Sequence, residues 1–160
     1  MSQKIERIKV GLLPEEPSPE LLRWAVELED ESGFVFQKPH WFAIKASNIG
    51  VPTYVMPADS DILLHTHPNT PDYDHHFVPS ANDFRNASII AVNLIASNGG
   101  ITQFWPVDEQ VKKFLEFITI NARLTVSVVA YEQMLKEKGI RYQVFPWEDL
   151  EGKSISDFSV

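Results

Sequence analysis

Two histidines and an aspartate form the pattern in this chain most capable of chemistry. His65 and His67 flank Thr66, directly after the apolar run Ile62-Leu63-Leu64 and before Pro68. The run reads as a buried strand, and residues two apart on a strand point to one face. The spacing therefore predicts two imidazoles standing side by side out of a rigid sheet. Beyond the loop 68–79 comes Pro79-Ser80-Ala81-Asn82-Asp83. Its S-x-x-D form is a helix N-cap that sets Asp83 in the first turn. By itself that form marks only a cap. Together with the histidines it completes a set of two imidazoles and one carboxylate, leaving a fourth position for water. Such a set suits catalytic zinc better than structural zinc.

Zinc held in this way lowers the pKa of its water to about 7, so hydrolysis at neutral pH becomes accessible. A base must then take the water's proton and deliver it to the leaving amine. Glu31 is the first candidate, at the junction of a helix and the following strand. Glu29 is second and Glu27 third, because both lie earlier on a helix expected to face water. Ser80 has two prospective roles: its hydroxyl can cap the helix and can donate to the oxyanion of a tetrahedral intermediate.

The elements that must position these groups follow from the local pattern. Residues 5–13 read as a short strand. Ser18-Pro19-Glu20 starts a helix to about Glu29, with a serine cap, proline at the first position and an acid in the first turn. Ser32–Gln37 and Trp41–Ala46 read as strands, Thr53–Met56 as a short edge strand and Asp61–His67 as the histidine strand. Ala91–Ala96 and Ile101–Trp105 form a hairpin around Asn98-Gly99-Gly100. Asp108–Lys138 is helical, as a kinked helix or a pair, with Gly139 as the terminating residue. Ile140–Phe145 is a last strand. The fold class is α/β or α+β with a mixed sheet, in a single domain over residues 1–146. Residues 147–160, polar and acidic, are expected to be a mobile tail.

Composition narrows the function classes. The chain has 160 residues, 44% hydrophobic and 22% charged, with a net charge of -8. Such acidity disfavours a nucleic-acid backbone as partner. Without cysteine there is no disulfide, thiolate zinc site or cysteine nucleophile. This fits a cytoplasmic location. The N-terminus lacks the apolar run of a signal peptide, and no stretch approaches the roughly 20 apolar residues of a membrane helix. The strings H-E-x-x-H and G-x-S-x-G are absent, as is the P-C-x-x-C of the zinc deaminases. His75 and His76, among Asp72, Tyr73 and Asp74, read as a solvated loop that could contact substrate or act as a lid. His40-Trp41-Phe42 reads as a strand start with core aromatics. Phe114, Leu115, Phe117 and Ile118, with Leu124, Val128 and Leu135, read as core or as the face of a homodimer.

The order Glu31-Ser32-Gly33-Phe34-Val35, then Leu63-Leu64-His65-Thr66-His67-Pro68, then Pro79-Ser80-Ala81-Asn82-Asp83 resembles the JAMM motif of the MPN-type metalloproteases. The resemblance covers about residues 5–105. It implies that His65, His67 and Asp83 bind one zinc, that Glu31 is the general acid/base, and that Ser80 stabilises the transition state. The implied fold is a curved mixed sheet between helices, related to the zinc deaminases. The interval from Glu31 to His65 is shorter than in many members, and the cysteine that often follows the glutamate is missing.

By the same resemblance the expected activity is that of a zinc peptidase or isopeptidase. It would cut after the C-terminal glycine of a ubiquitin-like protein, in precursor processing or deconjugation, with a bacterial ubiquitin-like pathway as one setting. A free sheet edge near the metal would hold the extended tail by strand addition. Two alternatives stand beside this reading: a phage-tail or cell-wall peptidase of the same family, and a non-catalytic MPN scaffold. Metal content separates the scaffold from the enzymes, and the captured substrate separates the enzymes from each other.

Overall fold

Runs of β-branched and aromatic residues dictate the strands, and polar or glycine-containing turns separate them. The computed structural model describes residues 11–45, 60–69, 77–120 and 128–160. Over these residues the chain forms one mixed seven-stranded sheet and four α-helices. The strands are β1 (Gly11–Leu13), β2 (Ser32–Gln37), β3 (His40–Lys45), β4 (Ile62–Thr66), β5 (Val92–Ser97), β6 (Gly100–Phe104) and β7 (Tyr142–Phe145). Their order across the sheet is β1-β3-β2-β4-β5-β6-β7, with β4 and β5 parallel and every other pair antiparallel. The helices are α1 (Pro19–Val26), α2 (Ala81–Arg85), α3 (Glu109–Ile120) and α4 (Val128–Glu137).

Both faces of the sheet are covered at its centre, which explains why β5 is buried along its whole length. On one face Phe34, Leu64, Leu94 and Ile101 pack against Leu22 and Val26 of α1. On the other, Ile95 and Phe104 pack against Phe84 of α2, Leu115 of α3, and Tyr131 and Leu135 of α4. β4 shows the expected alternation: Ile62, Leu64 and Thr66 are buried, while Leu63 and His65 turn to the opposite face.

Local chemistry fixes the ends of the elements. Ser18 Oγ accepts from Leu21 N at 3.1 Å, and Asp108 Oδ1 accepts from Val111 N at 2.8 Å. α1 ends at Val26, short of Glu29. The Val26 carbonyl accepts from Asn69 N at 2.9 Å, while Glu27 N and Leu28 N bond back only three residues, closing the helix in a tight turn. Gly139 has φ +67, so the left-handed residue that ends α4 is a glycine. Gly100, with φ +138, opens β6 where a Cβ would meet the Phe145 carbonyl oxygen at 2.1 Å. The pattern over 108–138 resolves into α3 and α4. The expected edge strand Thr53–Met56, and His75 and His76, lie outside the described residues.

The expectation of a mobile tail over 147–160 is overturned. Trp147–Leu150 and Ile155–Asp157 form 3-10 turns, and Trp147, Leu150 and Ile155 are buried in the core under α1. Trp147 Nε1 donates to Ser97 O at 2.9 Å, and Gln103 Nε2 donates to Ser159 O at 2.6 Å. Glu16 accepts from Ser154 Oγ at 2.7 Å and from Ile155 N at 3.1 Å, tying the segment to the approach of α1. Burying side chains of this size contributes about 1.5–3 kcal/mol each.

Candidate metal centre

The parallel pairing of β4 with β5 sets the two histidines. His65 lies across from Ile95 on one side and Gly33 on the other. Gly33 has no side chain to stand beside the imidazole. His67 lies one residue past β4, yet its N–H donates to the Ala96 carbonyl at 2.9 Å, which carries the parallel ladder onward. Both rings therefore rise from the same face, 5.2 Å apart between centroids. His67 is almost fully buried, and the His65 side chain is 14% exposed. Phe104 backs His65 edge-on at 6.4 Å and Phe84 meets Phe104 in the same way at 5.8 Å, so the ring of His65 stands against aromatic core.

Asp83 arrives from α2. Ser80 Oγ accepts from Asp83 N at 3.1 Å and Asp83 Oδ2 accepts from Ser80 N at 2.8 Å, a reciprocal capping box. Phe84, the next residue, is buried and anchors the short helix in the core. The carboxylate is thereby held under the imidazoles: Oδ1 lies 3.1 Å from His65 Nε2, and Oδ2 lies 3.1 Å from His67 Nε2. Burial alone would push Asp83 upward, but the charges and hydrogen bonds of His65 and His67 hold its carboxyl well below the ordinary range. Burial likewise works against a charged His65, and it is outweighed by the Asp83 charge and hydrogen bond, with a smaller contribution from Glu31, so this imidazole is raised.

The donor set fits a metal ion. One ligand atom from each of His65, His67 and Asp83 lies within 4.8 Å of the others. Ligands at zinc-like bond lengths of about 2.0–2.1 Å in a tetrahedron stand roughly 3.3 Å apart, close to the histidine–carboxylate separations found here. A metal held there would replace the direct histidine–carboxylate contacts. The group sits at the carboxyl end of β4, where open α/β sheets bind ligands.

Glu31 is brought to this site. It precedes β2, and continuing the β2–β4 register by two residues from the Gly33–His65 pair sets it across from His67. Ser32 N donates to the buried Thr66 Oγ1 at 2.8 Å, which locks the strand beside it. Glu31 is 8% exposed, and its charge acts on His65. The competing glutamates lie elsewhere: Glu29 is exposed, and Glu27 accepts from Asn69 Nδ2 at 3.3 Å. Ser80 is exposed at the helix entrance. His40 is exposed at the start of β3, and the neighbouring Trp41 is core, as its sequence context implies.

Three supporting residues carry no sequence signal. Thr66 sits hidden between the two histidines. Asn69 accepts from Asn98 Nδ2 at 3.2 Å in addition to its bonds to Val26 and Glu27. Tyr131, far along the chain on α4, donates its hydroxyl to Pro79 O at 2.7 Å. Burial and the Asp83 charge both push the Tyr131 phenol upward, so it remains a donor. The expected free sheet edge beside the metal is not present in the described sheet. β4 lies in the middle, three strands from either edge, which is roughly 14 Å at the usual strand spacing. No helix among the described residues is long and apolar enough to cross a membrane. No family model, curated protein or solved structure matches the chain.

Proposed function

We propose that this chain is a zinc-dependent peptidase or isopeptidase of the JAMM type, with the curved sheet-and-helix fold of that family. The observation that carries the reading is the convergence of His65, His67 and Asp83 on one point, with Glu31 buried beside them and Ser80 at the lip. The ion would be held by His65 Nε2, His67 Nε2 and an Asp83 carboxylate oxygen. When bound, zinc supplies Lewis acidity that activates water and polarises a carbonyl.

The chain's own groups do the rest. Glu31 accepts the proton of the attacking water and returns it to the nitrogen of the leaving amine, as general base and then general acid. Ser80 Oγ accepts from the helix backbone, which leaves its own proton to donate to the oxyanion that develops on the scissile carbonyl. The buried wall of Phe104 and Phe84 behind His65 limits water and strengthens these interactions.

The substrate we assign is a ubiquitin-like protein cut after its C-terminal glycine, either as a precursor or as a conjugate, in the cytoplasm. With β4 in the middle of the sheet, the proposed tail would approach over the face of the sheet and not by addition to an outer strand. The test is incubation of the zinc-loaded protein with ubiquitin carrying a C-terminal peptide extension. The reading predicts release of the extension, loss of release with a chelator, and loss with Glu31→Gln. Release that persists in Glu31→Gln and stops in Glu29→Gln would move the base; no release from ubiquitin or from any glycine-ended relative would remove the substrate.

A further inference from the structure

Asp83 is aimed by more than its own capping box, because the residue before that box is gripped from a distant helix. Tyr131 lies on α4, fifty-two residues beyond Pro79, and its hydroxyl donates to the Pro79 carbonyl at 2.7 Å in a buried setting. Pro79 is itself buried and has no N–H, so its carbonyl is its main-chain handle. Immediately after it, Ser80 N donates to Asp83 Oδ2 at 2.8 Å. The chain of contacts thus runs from Tyr131 Oη through the Pro79–Ser80 peptide to the carboxylate facing both imidazoles. Tyr131 is itself buried, in the same apolar cluster as Phe84 and Leu115.

We infer, resting on the metal-dependent reading of this site, that Tyr131 is a positioning residue for the metal: through Pro79 it fixes the Ser80–Asp83 box and so the angle at which the Asp83 carboxylate meets the ion. Residues that orient metal ligands from behind typically contribute 10–100-fold in metal affinity when lost. The Pro79–Ser80 peptide is the link between α4 and the site, so α4 belongs to the metal centre and is more than a wall of the core. The same peptide sets the direction of Ser80 Oγ, so ligand and oxyanion donor move together.

The test is metal affinity, measured on the purified full chain by competition with a chromophoric chelator, with cobalt(II) absorption as a report on ligand geometry. Three proteins are compared: wild type, Tyr131→Phe and Leu135→Val. Tyr131→Phe keeps the ring and removes only the hydroxyl. Leu135→Val loosens the same helix at a buried position whose alkyl side chain donates no hydrogen bond to the Pro79 carbonyl. The expected result is zinc binding about 10–100-fold weaker in Tyr131→Phe with an altered cobalt spectrum. Leu135→Val is expected to melt earlier yet bind within about twofold of wild type. Wild-type affinity and spectrum in Tyr131→Phe would overturn the inference and leave the metal site standing. Equal weakening in Leu135→Val would reduce Tyr131 to a stability role. Failure of the wild-type chain to bind either metal would overturn both this inference and the function it rests on.

Discussion

His67 and Asp83 are sixteen residues apart in the chain, and their Nε2 and Oδ2 atoms lie 3.1 Å apart. A parallel strand supplies one and a capped helix the other. The His67 N–H is fixed to Ala96, and the Asp83 carboxylate is fixed to Ser80. Backbone bonds that place ligands close to their bound arrangement lower the entropy lost on binding.

The capping box gives the first prediction. Ser80→Ala removes the acceptor for Asp83 N and lowers stability by about 1 kcal/mol. It also removes the donor assigned to the oxyanion, so turnover should fall by about 10²–10³-fold. Ser80→Thr restores most of the stability. Parallel melting and activity measurements separate the two roles.

Glu31→Gln keeps the shape of the side chain and removes the base. Zinc content should stay at the wild-type level while hydrolysis falls by about 10²–10⁴-fold. Loss of zinc together with activity would make Glu31 a ligand and not a base.

The metal-free protein should respond to pH in a defined direction. The Asp83 carboxyl is depressed in the fold, so its contribution is present above its ordinary value of 3.8 and is lost as pH falls through the depressed one. The His65 imidazole is raised, so its contribution is present below its ordinary value of 6.5 and is lost as pH rises through the raised one. Metal-free stability should therefore be greatest between these two values. Zinc affinity should run the other way and climb as His65 deprotonates, because the metal needs the neutral ring. Melting curves with and without zinc across this range check both slopes, and His65→Gln should flatten the alkaline side.

The C-terminal segment should be indispensable. Trp147→Ala empties a core position and breaks the bond to Ser97, at a cost of about 3–5 kcal/mol. Gly100→Ala should be at least as damaging, since its Cβ would fall 2.1 Å from the Phe145 carbonyl oxygen at a φ that disfavours side chains. Denaturant unfolding of the two variants tests whether β6, β7 and the tail share one core.

Local signals in the sequence anticipated much of this architecture. β2 runs from Ser32 to Gln37, as its apolar and aromatic run implies, and the Ser80–Asp83 box forms because both partners lie within one turn. The two histidines share a face because strand alternation is fixed by backbone geometry. Long-range packing was not legible. Trp147, Leu150, Ile155 and Phe158 sit among acids and serines in turns too short to produce a period, so the segment resembles a solvated tail until the core is assembled around it. Tyr131 was equally silent, because a hydroxyl bonded to a carbonyl fifty-two residues earlier leaves no local trace. Phe117 is 65% exposed while Leu115 and Leu135 are core, a division that the apolar content of the two helices does not announce.

Metal content tests the centre of this account most directly. Elemental analysis of the purified wild-type chain and of His67→Ala, alongside a melting curve for each, should give about one zinc per chain for the first and close to none for the folded second. A folded wild-type chain that takes up no zinc, or a His67→Ala chain that keeps its full complement, would contradict the site built from His65, His67 and Asp83.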